Sequence, residues 1–183
     1  VKEQIDLLKA ILPDAKTVAV LYCSSESNSA AQYALAKAQI EALGMTCIEK
    51  TISAIDEAKS AVESLAGVAD AIYVPTDNTI SDSMTSVSAA ANAVKLPLIV
   101  GEAGMVVNGA LATYGIDYYR LGKQTAEMAV KLLKADKPLD EIAKMAVVYQ
   151  TDCVYAVNTD TAAALGITIP EEILSKATIY PSK

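Results

Sequence analysis

Polar and acidic side chains gather in four short stretches: Ser24 to Ser29 (SSESNS), Pro75 to Thr79 (PTDNT), Gly101 to Gly104 (GEAG), and Asp117. A carboxylate is held well by hydroxyls, amides and the free N–H groups of a helix start, and Asn28, Ser29 and Thr79 stand where helical patterns begin. An ammonium is held by a carboxylate, and Asp77, Glu102 and Asp117 each offer one. Together these groups describe a grip for a small zwitterion, with Thr76, Asp77 and Asn78 taking one end of an amino-acid-like molecule.

The same residue types also cap helices. Ser, Thr or Asn ahead of a helix contributes about 1 kcal/mol by accepting an orphaned N–H. Ser27, Ser29 and Thr79, taken singly, are caps before they are ligand contacts. Asp77 suits either role, and Glu102 equally suits a solvated surface. Tyr22 ends an apolar run and reads as core. GEAG lacks the Lys that a phosphate loop uses.

Nucleophilic and metal chemistry have little to work with. The chain has no His, which removes Ser-His-Asp and Cys-His arrangements and most zinc sites. Cys23, Cys47 and Cys153 lie far apart without a C-x-x-C pair. Cys23 and Cys47 sit in apolar strand contexts and read as buried thiols. No catalytic residue, metal ligand or cofactor is assigned.

Elements that would position these stretches alternate along the chain. Lys2–Leu12 has helical spacing and ends at Pro13. Strands are expected at TVAVLY (Thr17 to Tyr22), MTCIEKTI, DAIYVP and LPLIVG. Helices are expected from Ser29 to Leu43, Asp56 to Leu65 and Thr79 to Val94. Crossovers of this length join parallel strands, so the expected fold is α/β: a doubly wound parallel sheet with helices on both faces. Ligands of such sheets sit outside the carboxyl ends of the strands, where the polar stretches fall. Further on come a short helical piece, a strand from Ala110 to Ile116 and a helix from Tyr118 to Lys134 with the stripe Leu121, Thr125, Met128 and Leu132. MAVVYQ and CVYAVN are further strand candidates, and TAAALG and IPEEILSKA read as helices.

The 183 residues are 52% hydrophobic and 20% charged, enough for a core and unlike a disordered chain. A net charge of −7 and a pI near 4.6 repel polyanions, so no nucleic acid partner is expected. No apolar run approaches the roughly 20 residues of a membrane span. The chain opens on Val1 and an amphipathic segment, as a fragment of a longer protein would.

Several stretches resemble substrate-binding proteins of ABC importers. They are VKEQIDLLKAILPDAKTVAVLY, SSESNS, DAIYVPTDN, GEAGMVVNGALATYGIDYYRLGKQTAEMA and LGITIPEEIL, in family order over nearly the whole chain. The match is to the type I periplasmic-binding-protein fold, in the family that includes tryptophan- and tyrosine-binding lipoproteins. The resemblance implies a Rossmann-like or flavodoxin-like lobe. Residues 1–117 would be the second, ligand-binding lobe, 118–146 a hinge-crossing helix belonging to a first lobe absent from the chain, and 147–183 return strands and C-terminal helices. It places Ser27, Asn28, Ser29, Thr76, Asp77, Asn78, Glu102 and Asp117 at the cleft. It implies non-enzymatic capture of an amino acid-like solute for an ABC permease, outside the cytoplasmic membrane, with a lipid anchor not in this chain. Without its first lobe, the chain is expected to dimerise or expose apolar surface near Leu121, Met128 and Leu132. Two other readings of the fold are a ligand-sensing effector domain of a transcription regulator and a flavodoxin-like enzyme.

Overall fold

Runs of branched apolar residues bury both faces and pair in parallel. Val18 to Cys23 are all buried in β1 (Thr17–Cys23), as in a strand covered on both sides. β3 (Ala71–Val74) and β4 (Leu98–Val100) are buried throughout. β2 (Thr46–Ile52) is partly exposed at one edge. β5 (Ala112–Gly115), β6 (Val154–Asn158) and β7 (Ala177–Tyr180) complete a seven-stranded sheet in the order β2-β1-β3-β4-β5-β6-β7. The computed structural model describes residues 1–136 and 138–181.

The helices are α1 (Lys2–Ile11), α2 (Ser27–Ala42), α3 (Ala58–Glu63), α4 (Asn78–Ser81), α5 (Met84–Ala93), α6 (Ala103–Val107), α7 (Tyr118–Leu133), α8 (Pro138–Ile142), α9 (Thr159–Leu165) and α10 (Glu171–Leu174). Alternate residues of β1 point into two separate cores. Val18, Val20 and Tyr22 pack with Ile5, Leu8 and Ile11 of α1 and Ile40 of α2. Ala19, Leu21 and Cys23 pack with Val62 of α3, Val87 of α5 and Met105 of α6. Each Leu or Ile buried this way contributes ~1.5–3 kcal/mol.

The expected parallel sheet is found in five strands: β1 pairs in parallel with β2 and β3, β3 with β4, and β4 with β5. β6 departs from it, running antiparallel to β5 with Gly115 opposite Val154, and β7 follows β6 in parallel. The cause is connectivity. The chain leaves β5 at Gly115 and returns beside that same end at Val154, so it must run backwards.

Other expectations shift for local reasons. The helix expected over 79–94 is two, α4 and α5, separated at Asp82 and Ser83. Ser and Asp there compete for backbone hydrogen bonds and favour breaks. The helix expected over 56–65 begins as a 3-10 turn, Ile55–Glu57. In IPEEILSKA, Pro170 is the residue before α10, not its first turn, and the tail becomes β7. MAVVYQ is not a strand. Val147, Val148 and Tyr149 are exposed.

Two units divide the chain: Val1–Gly115 with Val154–Lys183, and Ile116–Cys153. In the second, no residue of α7 is buried. Leu121, Met128 and Leu132 are half-buried and Thr125 is exposed. Tyr119 and Leu133 are the most exposed apolar residues of α7.

In the first unit, Gln4 joins α1 to the carboxyl ends of three strands. Its buried amide donates to the carbonyls of Gly101 and Tyr114, both at 3.0 Å, and its oxygen accepts the Tyr73 hydroxyl at 2.7 Å. Burial raises the pKa of that Tyr73 hydroxyl. Gly101 is constrained more tightly. A Cβ there would lie 2.4 Å from the backbone nitrogen of Thr76 and 2.7 Å from the carbonyl carbon of Pro75. Gly101→Ala should therefore destabilise the fold by about 1–3 kcal/mol, the usual cost of overpacking. A urea midpoint equal to that of the unsubstituted protein would contradict this close approach.

Candidate functional site

In the order β2-β1-β3-β4-β5, the direction of winding reverses between β1 and β3, and their carboxyl ends open the crevice where such sheets bind ligands. The loop after β1 and the loop after β3 meet there, and they bring together six of the eight residues singled out from sequence.

The two loops exchange carboxylates. Asp77, fully buried, extends from the β3 loop. Its Oδ2 accepts the Cys23 N–H and the Ser29 hydroxyl, each at 2.8 Å, and its Oδ1 accepts the Ile80 N–H at 3.0 Å. Glu26 extends the other way, from the β1 loop. Its Oε2 accepts the Asn78 N–H at 2.9 Å, and its Oε1 accepts the Thr79 N–H and hydroxyl, both at 2.7 Å. Burial alone would raise the Glu26 carboxyl. These donors from Asn78 and Thr79, with the Asn28 amide, outweigh it and hold the pKa below its usual value. A third tie runs through amides. The Asn28 side chain donates to the Thr76 carbonyl at 2.9 Å, while Gln32 accepts the Thr76 N–H at 3.2 Å and donates to that same carbonyl at 3.3 Å.

Glu102 begins the next loop. Its oxygens accept the N–H groups of Gly104 at 2.7 Å and Met105 at 2.9 Å, and the Ser81 hydroxyl lies at 3.4 Å. The tight approach of Gly101 to Thr76 sets this loop against the β3 loop. Asp117 belongs to the other unit. Its carboxylate caps α7 at Tyr119 and Arg120, with the Arg120 Nε at 3.3 Å.

All three acids that the sequence offered to an ammonium accept N–H groups at helix starts. The outward-facing groups of the two loops are of another kind. Ser24, Ser25, Ser27, Asn28 and Asn78 are exposed and Thr76 is half-buried. α2 has 16 residues, no side-chain cap and no acid in its first turn. Its N-cap residue is the acid Glu26, but no side chain accepts an N–H of its first turn, where the helix carries a partial positive charge of about +0.5. This surface offers hydroxyls, amides and a positive helix end, which suit an anion.

Sequence reasoning missed Glu26, Gln32 and Gln4. Glu26 is a poor residue to place before a helix, and that was the available signal. Gln32 follows Asn28 by one helical turn, so both amides face the same side. Cys23 is buried with its thiol 3.1 Å from the Ser25 hydroxyl, and burial pushes the Cys47 thiol up to about 11. Among the described residues, no group of three or more His, Cys, Asp or Glu side chains is placed to hold a metal ion, and no helix is long and apolar enough to cross a membrane.

A family model described as ABC transporter substrate binding protein matches residues 1–180. A tyrosine-binding protein of Clostridioides difficile strain R20291 is 35% identical over 168 residues, 90% of this chain and 49% of that protein. The chain thus spans about half the length of this curated relative. Among solved structures, an ABC domain from Streptococcus pneumoniae in complex with L-Trp is 36% identical, with a TM-score of 0.87 over 98% of this chain and 59% of that one. The ligand-free, open form of a substrate-binding protein with adhesive properties from Clostridium difficile is 38% identical, with a TM-score of 0.80 over 100% of this chain and 60% of that one.

Asp77→Ala would leave the Cys23 and Ile80 N–H groups and the Ser29 hydroxyl without their buried acceptor. It should lower stability by about 2–3 kcal/mol or more, read as a fall in the urea midpoint without ligand. An unchanged midpoint would remove Asp77 from the framework. Because the Glu26 carboxyl is held below its usual value, its bonds are fully present above about pH 4.3 and are lost as pH falls through the lowered value. Protection of the Asn78 and Thr79 amides from hydrogen exchange, corrected for intrinsic rates, should drop only as pH falls below the ordinary glutamate value of about 4.3.

Proposed function

The chain belongs to the ABC transporter substrate-binding protein family, and from that premise we propose that it forms one wall of a cleft that captures an amino acid for delivery to an ABC permease. Residues 1–117 supply that wall as the second lobe, residues 118–146 belong with the first lobe, and the chain returns to the sheet of the second lobe at Val154. The protein works outside the cytoplasmic membrane, held by a lipid anchor, and releases its solute unchanged.

One observation carries the reading. Two loops at the sheet's switch point are tied together by Asp77, Glu26 and Asn28, and between them they present hydroxyls, amides and a helix start without a side-chain cap. The similarity to a tyrosine-binding protein and to a domain in complex with L-Trp supports an aromatic amino acid as the solute. In this reading Ser27, Asn28, Thr76 and Asn78 meet the solute's carboxylate. Ser29 and Asp77 hold the loops in place, and Glu102 and Asp117 serve their own helix starts. The ammonium is then recognised by groups outside this wall.

Calorimetry on the full-length protein tests this. L-tyrosine or L-tryptophan should bind, and tyramine and tryptamine, which lack the carboxylate, should bind at least about 100-fold more weakly. Asn28→Ala should weaken amino acid binding about tenfold, the scale of a lost hydrogen bond to a charged group. Equal binding of the amines would overturn the assignment of the carboxylate to this wall. Absence of binding by every amino acid would overturn the solute class.

A further inference from the structure

Glu26 stands between the two loops of the crevice and is absent from the groups assigned to the solute. We propose that Glu26 is a positioning residue for solute capture: it touches no solute, and it sets the separation of the β1 and β3 loops by holding the start of α4. This rests on the solute-binding reading above.

One residue is bonded to two helix starts at once. The Glu26 backbone carbonyl accepts the Ser29 N–H at 3.1 Å and the Ala30 N–H at 3.2 Å, which fixes it to α2. Its carboxylate caps no backbone N–H of α2 and spans to α4, reaching residues 52 and 53 positions away. Both oxygens are occupied there, one by the Asn78 N–H and the other by the two Thr79 donors. A carboxylate engaged in this way is poorly disposed to take a solute ammonium.

Asp77 makes the reciprocal connection, but it is fully buried and its loss strands buried donors. Glu26 differs in burial. It is half-buried, Thr79 is half-buried and Asn78 is exposed. Water can replace the Glu26 carboxylate at both N–H groups. Removing it therefore loosens the crevice without leaving a buried polar group unmatched, and solute binding then has to order the β3 loop.

The test uses full-length protein, with Glu26→Ala and Glu26→Asp, and L-tyrosine and L-tryptophan as probes. Without solute, Glu26→Ala should speed exchange of the Asn78 and Thr79 amides about tenfold or more, with Tm shifted by less than about 2 °C. Its affinity for the bound amino acid should fall about tenfold or more. Glu26→Asp, which keeps the charge on a shorter arm, should regain part of both. Affinity within about twofold of wild type would overturn the proposal. So would lost affinity with unchanged exchange, which marks a direct solute contact, or lost affinity matched by a fall in Tm, which marks a general brace. Wild-type protein that binds neither amino acid would overturn the solute reading and this proposal with it. That outcome is distinct from failure of the brace, because the exchange comparison needs no solute.

Discussion

A carboxylate taken out of water has to find its partners inside the protein, or it will not stay charged there. Asp77 meets that requirement with donors from two places: Cys23 and Ser29 on one side, and Ile80 of its own helix on the other. The ends of β1 and β3 are thereby held at hydrogen-bonding distance. Much of the crevice follows from this contact. α4 begins immediately after Asp77, which caps it. The Asn28 amide then lies within reach of the Thr76 carbonyl, and Glu26 within reach of Asn78 and Thr79. The next loop closes in so tightly that only glycine fits at Gly101.

The sheet supplies the frame for this contact. Adjacent parallel strands whose connections run to opposite faces leave a gap at their carboxyl ends, and β1 and β3 are such a pair. α1 and α2 cover one face, and α3, α5 and α6 the other. Past β5 the chain passes through Ile116–Cys153 before re-entering as β6. That excursion accounts for the reversed direction of the last two strands.

Charge is distributed in the crevice in a way that decides what it can recognise. Glu26, Asp77 and Glu102 all accept backbone N–H groups, so their negative charge faces the starts of α4 and α6. The start of α2 has no side-chain cap, and its first turn carries hydroxyls and an amide in place of acids. Of the acids that look like an ammonium grip in isolation, Asp77 stitches the two loops together, while Glu102 and Asp117 cap their own helix starts.

The amino-acid sequence by itself determined the alternation of strand and helix, the parallel pairing of the first five strands and the gathering of polar loops at one edge. These depend on apolar period, run length and helix-start residues, which are local properties of the chain. It also pointed to the loops that form the crevice, because Ser27 to Ser29 and Thr76 to Asn78 gather polar side chains at the carboxyl ends of two parallel strands. Tertiary structure alone decided which side chains face outward. Whether Asp77 meets a ligand or Cys23 depends on a loop 54 residues away, and no local pattern encodes that distance. The roles of Glu26, Gln32 and Gln4 are settled by partners far along the chain, as is the reversal of β6. Hydrogen bonds between distant segments exist only once the sheet has brought those segments together.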